Sequence, residues 1–196
     1  HEADLDFRWL QEAESLANAM VALFWDDSAE QFYDTGSDHE KLIVRPRDVS
    51  DNAVPSGVSM AADTLLRLAV ITGNSEFESK AVASLRSSRD LIARIPMGAG
   101  HWLGALDFYL SRPKEVAIIG DHLDTDTRAL VEQVYRPFMP NRVLVVADPK
   151  AGEESGYPLL SGRTLVDGKA AAYVCENYVC KLPVTDPREL AAQLGT

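Results

Sequence analysis

Two apolar runs, EVAIIGD at 115–121 and RVLVVADP at 142–149, flank one amphipathic stretch, TDTRALVEQVY at 125–135, and this order constrains the fold more than any other feature of the chain. Runs of that length and β-branched content predict buried strands, and the 3.6-residue period between them predicts a helix that stops before Pro137. A strand, a crossover helix and a second strand make a β-α-β unit, whose right-handed connection requires parallel strands. Ala171 to Pro183 follows with strand-like alternation. Asp186-Pro187-Arg188-Glu189 then predicts a last helix, with Asp186 as cap and Pro187 in the first turn. Between these elements, Lys150 to Arg163 is expected to be a loop containing Gly and Pro.

The residues before this unit follow a different pattern. Phe7, Leu10, Ala13, Leu16, Ala17, Met20 and Phe24 fall on one helical stripe. Asp26 to Asp38 is polar, and KLIVRPRD at 41–48 carries a short β-type run stopped by Pro46, so a small hairpin or a long loop is expected there. Ser56 to Ile71 is again periodic and ends at Gly73-Asn74. Ser75-Glu76-Phe77-Glu78 reads as a capping box that opens a third helix without a linker, which predicts a tight αα hairpin. Pro96 and Gly98 to Gly100 separate it from a fourth helix, Trp102 to Leu110. The expected fold class is therefore α plus α/β, with helical hairpins over residues 1–112 and a small β-α-β-containing unit over residues 113–196.

Composition removes several classes of function. Thirty acidic against 19 basic residues give a formal charge of −11, which repels nucleic acid and anionic membrane surfaces. No apolar run reaches the roughly 18 residues expected of a membrane-spanning helix. The start is acidic where a secretory signal would be basic, so a cytoplasmic protein is expected. Two cysteines in 196 residues are too few for a disulfide scaffold. The chain opens on His1 and enters a helix almost at once, and the expectation is that it is cut from something longer.

The succession FWDD, QFYDT, LIVRPRDVSDNAVPSG, LLRLAVITGN, ALDFYLSRPKEVAIIGD, DTRAL, DGKAAAYVCENYVC, PVTDP spans nearly the whole chain. In that order it resembles the carboxy-terminal part of the thioredoxin-domain-containing family that includes spermatogenesis-associated protein 20. The resemblance implies a thioredoxin-like domain first, then an (α/α)-toroid of the six-hairpin glycosidase type similar to sugar epimerases. On that basis this chain is an incomplete arc of the toroid followed by an α/β tail. If the family is enzymatic it is carbohydrate-active, and the arc alone is not expected to be active. The implied partners are the missing amino-terminal thioredoxin-like domain, the remaining toroid helices and a small sugar, with self-association through exposed helix faces. No cofactor is called for.

Several residues are candidates for chemistry. In DNAVPSG, the resemblance places Asp51 at a helix entrance on the toroid, where a carboxylate could act as acid, base or hydroxyl acceptor. Asn52 and Ser56 would bind substrate beside it. The same residues also fit a structural role, with Pro55 setting the turn, Ser56 capping the helix, and Asp51 and Asn52 satisfying loop amides. Glycoside hydrolysis needs a second carboxylate at about 5 to 10 Å, and the spacing does not choose among Asp34, Asp38 and Glu40. Trp25, Phe32, Tyr33, His101 and Trp102 are the candidates for a sugar cavity, where rings stack on apolar sugar faces, and core packing is the competing account.

Cys175 and Cys180 on a straight strand would point to opposite faces about 16 Å apart. A disulfide requires Cα atoms within roughly 7 Å. Only a tight turn at Glu176-Asn177-Tyr178 would join them, so packed thiols, a redox pair exchanging with the thioredoxin-like domain, and metal ligation all stay open. Asp121 and Asp148, each ending a strand of the β-α-β unit, could hold Mg²⁺ at one sheet edge, with helix capping by Asp124 or Thr125 as the alternative. No metal site is specified by these residues.

Overall fold

The computed structural model describes residues 1–40, 43–177 and 179–195. They form a mixed helix and sheet protein whose residues cluster into two compact units. One unit comprises Glu12–Ala69 and Asn74–Leu110, and the other His1–Gln11, Val70–Gly73 and Ser111–Thr196.

The first unit is built from helices. It holds all but the first four residues of helix α1 (Arg8–Phe24), all but the last three of α2 (Gly57–Thr72), and the whole of α3 (Ser75–Ser87), α4 (Arg89–Arg94) and α5 (Gly100–Leu110), with a 3-10 turn at Pro96–Gly98 before α5. Strands β1 (Trp25–Asp26) and β2 (Gln31–Phe32) pair antiparallel as a small hairpin. The β-type run at 43–46 forms no strand. Ile43 and Val44 are exposed, Pro46 has no backbone donor for a ladder, and Lys41 and Leu42 lie outside the described residues. Arginines tie this loop down instead: Arg45 donates to the carbonyls of Leu23 and Thr35, and Arg47 to the carbonyl of Phe32 and the hydroxyl of Ser87.

Two helix boundaries differ from the pattern. Gly73 takes the left-handed conformation (φ 70°), but the cap of α3 is Asn74, whose side chain accepts from the N–H groups of Glu76 and Phe77. Ser75 is already helical and the third residue after Asn74 is Phe77, so a single side-chain cap replaces the expected capping box. The third helix also breaks at Ser88, whose ψ of 4° ends α3 before α4 begins. Asn74→Ala is expected to lower stability by about 1 kcal/mol, seen as a lower urea midpoint with an unchanged slope.

The second unit holds a four-stranded sheet in the order β4-β3-β5-β6, with β3 at Lys114–Ile119, β4 at Arg142–Ala147, β5 at Ala171–Glu176 and β6 at Val179–Cys180. β3 and β4 are parallel, with Lys114 opposite Arg142, as a β-α-β unit demands, and the crossover helix α6 spans Thr125–Tyr135. β5 runs antiparallel to β3 and puts Glu115 opposite Cys175. The last helix, α8, spans Pro187–Leu194, and Asp186 accepts from the N–H of Arg188.

Strand alternation gives this sheet two faces. On one face Val116, Ile118, Leu144, Val146, Ala172 and Val174 form a core with Leu130 and Val134 of α6 and Leu190 and Leu194 of α8. Each such buried aliphatic side chain contributes about 1.5–3 kcal/mol. On the other face lies a helix where a loop was expected, α7, at Pro149–Ser155. Asp148 caps it, Pro149 opens it and Gly156 closes it at φ 69°, yet seven residues are too few for a visible period. A Cβ on Gly152 would sit 3.8–3.9 Å from Leu160, Ala147 and Ile119, so α7 rests directly on the sheet.

Candidate functional site

β5 and β6 are the two arms of a hairpin, turning through Asn177 at φ 51°. Asparagine is one of the few non-glycine residues that enter this region at low cost. Of the other two residues expected in the turn, Glu176 stays in β5 and Tyr178 lies outside the described residues. The turn replaces the straight strand assumed from the alternation, and Cys175 and Cys180 become direct cross-strand partners with Cα atoms 3.9 Å apart, joined as a disulfide. The N–H of Lys181 donates to the carbonyl of Val174, so the neighbouring cysteine pair occupies the non-hydrogen-bonded position, where opposed side chains are closest. The two sulfurs differ in access: Cys175 is 1% exposed, whereas Cys180 lies on the surface.

Arg163 reaches both sulfurs. Its Nη2 lies 3.1 Å from Cys175 Sγ and 3.0 Å from Cys180 Sγ, and its guanidinium sits over the ring of Tyr173. The Tyr173 hydroxyl donates to the carbonyl of Thr164 and accepts from its N–H, which anchors the segment carrying Arg163. Burial lowers the pKa of the guanidinium, and the negative field of Glu115 raises it. Glu115 is 3% exposed and stands opposite Cys175 in the sheet. A row of Glu115, Cys175 and Cys180 therefore crosses three strands on the face that Arg163 covers. A cavity of about 420 Å³ opens beside the disulfide, walled in part by Arg112, Glu176, Asn177, Val179 and Lys181. Neither Arg163 nor Glu115 stands out in the sequence, because what makes them significant is strand register.

Asp51 occupies a different setting. It is 8% exposed, and both carboxylate oxygens are used. Oδ1 accepts from the N–H of Ser56 (3.0 Å) and the hydroxyl of Ser59 (2.6 Å), and Oδ2 from the N–H groups of His101 (2.8 Å) and Trp102 (3.1 Å). One side chain thus closes the entrances of both α2 and α5. Burial pushes its pKa up, but the four hydrogen bonds together prevail and hold it below the ordinary aspartate value. Ser56 caps α2 by accepting from the N–H of Ser59, and Asn52 is exposed on the adjoining turn.

No family model matches the chain. Human spermatogenesis-associated protein 20 is 34% identical over 193 residues, which is 97% of this chain and 25% of that protein. The rat protein of the same name is 33% identical over 196 residues, 97% of this chain and 24% of that protein. The chain belongs to the spermatogenesis-associated protein 20 family. It spans about a quarter of the length of these curated relatives. A Caenorhabditis elegans protein is 25% identical over 186 residues, again a quarter of that protein.

The aromatic candidates in this spermatogenesis-associated protein 20 relative take separate positions. Trp102 is fully buried, and its indole N–H donates to the carbonyl of Val49. The His101 ring turns toward Asp63, with Nε2 3.8 Å from Oδ2, while Asp63 also pairs with Arg67. Trp25 packs edge-on against Phe32, donates to Asp27 and lies under Lys80. Tyr33 stacks beneath Arg45. Asp34 accepts from the N–H of Asp48, and Asp38 lies beside His39.

Asp121 and Asp148 line one cavity of about 250 Å³ at the carboxyl ends of β3 and β4, but each carboxylate is used locally. Asp121 accepts from the N–H of Leu123, and Asp148 from those of Lys150 and Ala151. At the start of α6, Asp124 occupies the cap position without a side-chain hydrogen bond, and Asp126 reaches the N–H groups of Thr127 and Ala170. Among the described residues no group of three or more His, Cys, Asp or Glu could hold a metal ion, and no helix is long and apolar enough to cross a membrane.

Proposed function

We propose that the α/β unit is a thiol–disulfide exchange element within the longer family protein. The observation that carries this reading is the pairing of an exposed sulfur, Cys180, with a buried one, Cys175, under a guanidinium 3.0–3.1 Å from both. A cation beside a sulfur favours its thiolate form, which is the form that leaves when a disulfide is reduced. Arg112 and Lys181, in the cavity wall, would draw in the anionic attacking thiolate. The reductant is a dithiol: it gives up two electrons and two protons and becomes a disulfide, while Cys175 and Cys180 become thiols. The thioredoxin-like domain implied by the family resemblance is the natural donor.

Helices α1 to α5 are read as one arc of an (α/α)-toroid whose remaining helices belong to the part of the relatives that this chain does not span. Carbohydrate binding or processing would then be a property of the whole ring. The full engagement of Asp51 favours a role in holding two helix entrances together over one as acid or base.

Reduction should leave the fold intact, because the disulfide closes a short hairpin and contributes about 2 kcal/mol, whereas the core lies among β3, β4, β5, α6 and α8. The test is to equilibrate the chain with a dithiol buffer series, quench with a maleimide mass tag and weigh the intact protein. The exposed Cys180 should take one tag in the native state and the buried Cys175 a second once the quenched protein is denatured, with far-UV circular dichroism unchanged by reduction. A wild type that takes no tag before denaturation would overturn the proposal.

A further inference from the structure

The two sulfurs of the hairpin are chemically unequal, and the inequality lies in Arg163. A guanidinium carries five N–H donors and normally meets carboxylates or carbonyls. Here Nη2 faces two disulfide sulfurs, which are weak acceptors, while Nη1 is buried and has no hydrogen-bond partner among the described residues. This half-buried cation is thus poorly satisfied at its buried Nη1 while the cysteines are joined. A thiolate would supply the strong acceptor that the oxidised state lacks. Cys175 is the sulfur able to keep such a pair dry, since Cys180 is open to solvent.

Resting on the exchange reading above, we infer that Arg163 is a positioning residue that fixes the order of exchange, with Cys180 as the sulfur attacked and Cys175 as the leaving thiolate. The incoming thiolate of a dithiol attacks Cys180 Sγ. The disulfide bond breaks, its electron pair passes to Cys175 Sγ, and Cys175 departs as a thiolate beside Arg163. The partner is then bound to Cys180 as a mixed disulfide. Its second thiol loses a proton to solvent and attacks the partner's own sulfur, releasing Cys180 as a thiolate and the partner as a disulfide. Solvent protonates the released sulfur, and the two electrons now reside in the cysteine pair.

The field at Cys175 comes from groups on every surrounding element. Arg163 favours its thiolate, as do Arg112 and Lys181 in the cavity wall, Glu115 on β3 opposes it, and the Lys114–Glu176 ion pair (2.7 Å) is self-compensating. Arg163 is the group in direct contact and dominates at 3.1 Å. Its loss should raise the Cys175 thiol pKa by about one to three units and slow reduction by about three- to thirtyfold through the poorer leaving group.

The test measures reduction of the whole chain by dithiothreitol in wild type, Arg163→Met and Arg163→Lys. It also follows the pH profile of iodoacetamide alkylation of Cys175 in Cys180→Ser, with and without Arg163→Met. The expected results are slower reduction in Arg163→Met, partial rescue in Arg163→Lys, and an alkylation midpoint that moves up when Arg163 is lost. In Cys175→Ser an aromatic disulfide should form an adduct on Cys180 readily with release of one aromatic thiolate, and in Cys180→Ser it should react slowly with Cys175. Equal rates and superimposed alkylation profiles, with the wild type still reduced, would overturn the role of Arg163. A wild type that is never reduced in its native state would overturn the exchange reading itself. Should Arg163→Met not fold, Arg163→Lys and the Cys180→Ser pH profile still decide: an alkylation midpoint at or above the ordinary thiol value contradicts the inference.

Discussion

Asp51→Ala should cost about 3–5 kcal/mol of folding stability, because each neutral donor left unsatisfied costs about 1–3 kcal/mol and several are left together with only partial relaxation. Four donors converge on this carboxylate, and each hydrogen bond to a charged group is worth about 1.5–3 kcal/mol before relaxation. Truncation strands the Ser56 N–H and Ser59 hydroxyl at the entrance of α2, and the His101 and Trp102 N–H groups of α5, in a site with little access to water. Asp51→Asn should also be destabilising, despite its matching shape. Its single carbonyl oxygen can serve one helix entrance, and the amide NH₂ then faces the donors of the other. Urea denaturation measures both variants, and a loss below about 1 kcal/mol for Asp51→Ala would remove the double-cap account.

The same carboxylate predicts an acid limb. Its folded pKa lies below the ordinary aspartate value, so its contribution is fully present above the unfolded pKa and is lost as pH falls through the folded one. Asp126 works in the same direction, held low chiefly by the Ala170 N–H. Wild-type stability should therefore fall below about pH 4, and the fall should be shallower in Asp51→Asn, which has no such proton to take up. Equal slopes in the two proteins over that range would show that Asp51 does not carry the acid limb.

Much of the α/β unit was legible because its signals are local. The apolar runs that form β3 and β4 are bounded by Gly, Asp and Pro, and parallel pairing follows once a helix lies between them. The cap of α8 is also a local signal. Where the structure departs from the pattern, long-range or very short-range effects decide. In the β-type run at 43–46, Ile43 and Val44 are exposed and Pro46 has no N–H to give a ladder, so propensity alone does not make it a strand. α7 is too short to show a period. CENYVC looks continuous until Asn177 takes a positive φ and folds one cysteine onto the other. Glu115 is 48 residues before Arg163 in the chain, and only the β3–β5 register brings its field to the disulfide. Helical spacing in the first unit cannot separate a ring that lines a cavity from one that fills a core, because both require the same side of the helix.

Trp102→Ala should cost about 3–5 kcal/mol, because this side chain is fully buried and its loss combines transfer energy with a cavity. Trp102, Ala105 and Phe108 are the buried residues of α5 and recur every third position, which is a packing stripe. Trp102→Phe should be milder, at about 1–2 kcal/mol, since most of the ring is kept and the carbonyl of Val49 loses its donor. Trp25→Ala should cost less than Trp102→Ala, because Trp25 is only partly buried and its edge-on contact with Phe32 is worth about 0.5–1.5 kcal/mol. Trp102 also gives its backbone N–H to Asp51, so the Trp102→Ala and Asp51→Ala losses should not add. Paired denaturation curves and their double-mutant cycle measure this coupling. A Trp102→Ala protein that kept its stability and lost affinity for a sugar would place the indole in a binding cavity instead. With the ring sealed from solvent at the shared entrance of two helices, the expected readout is stability.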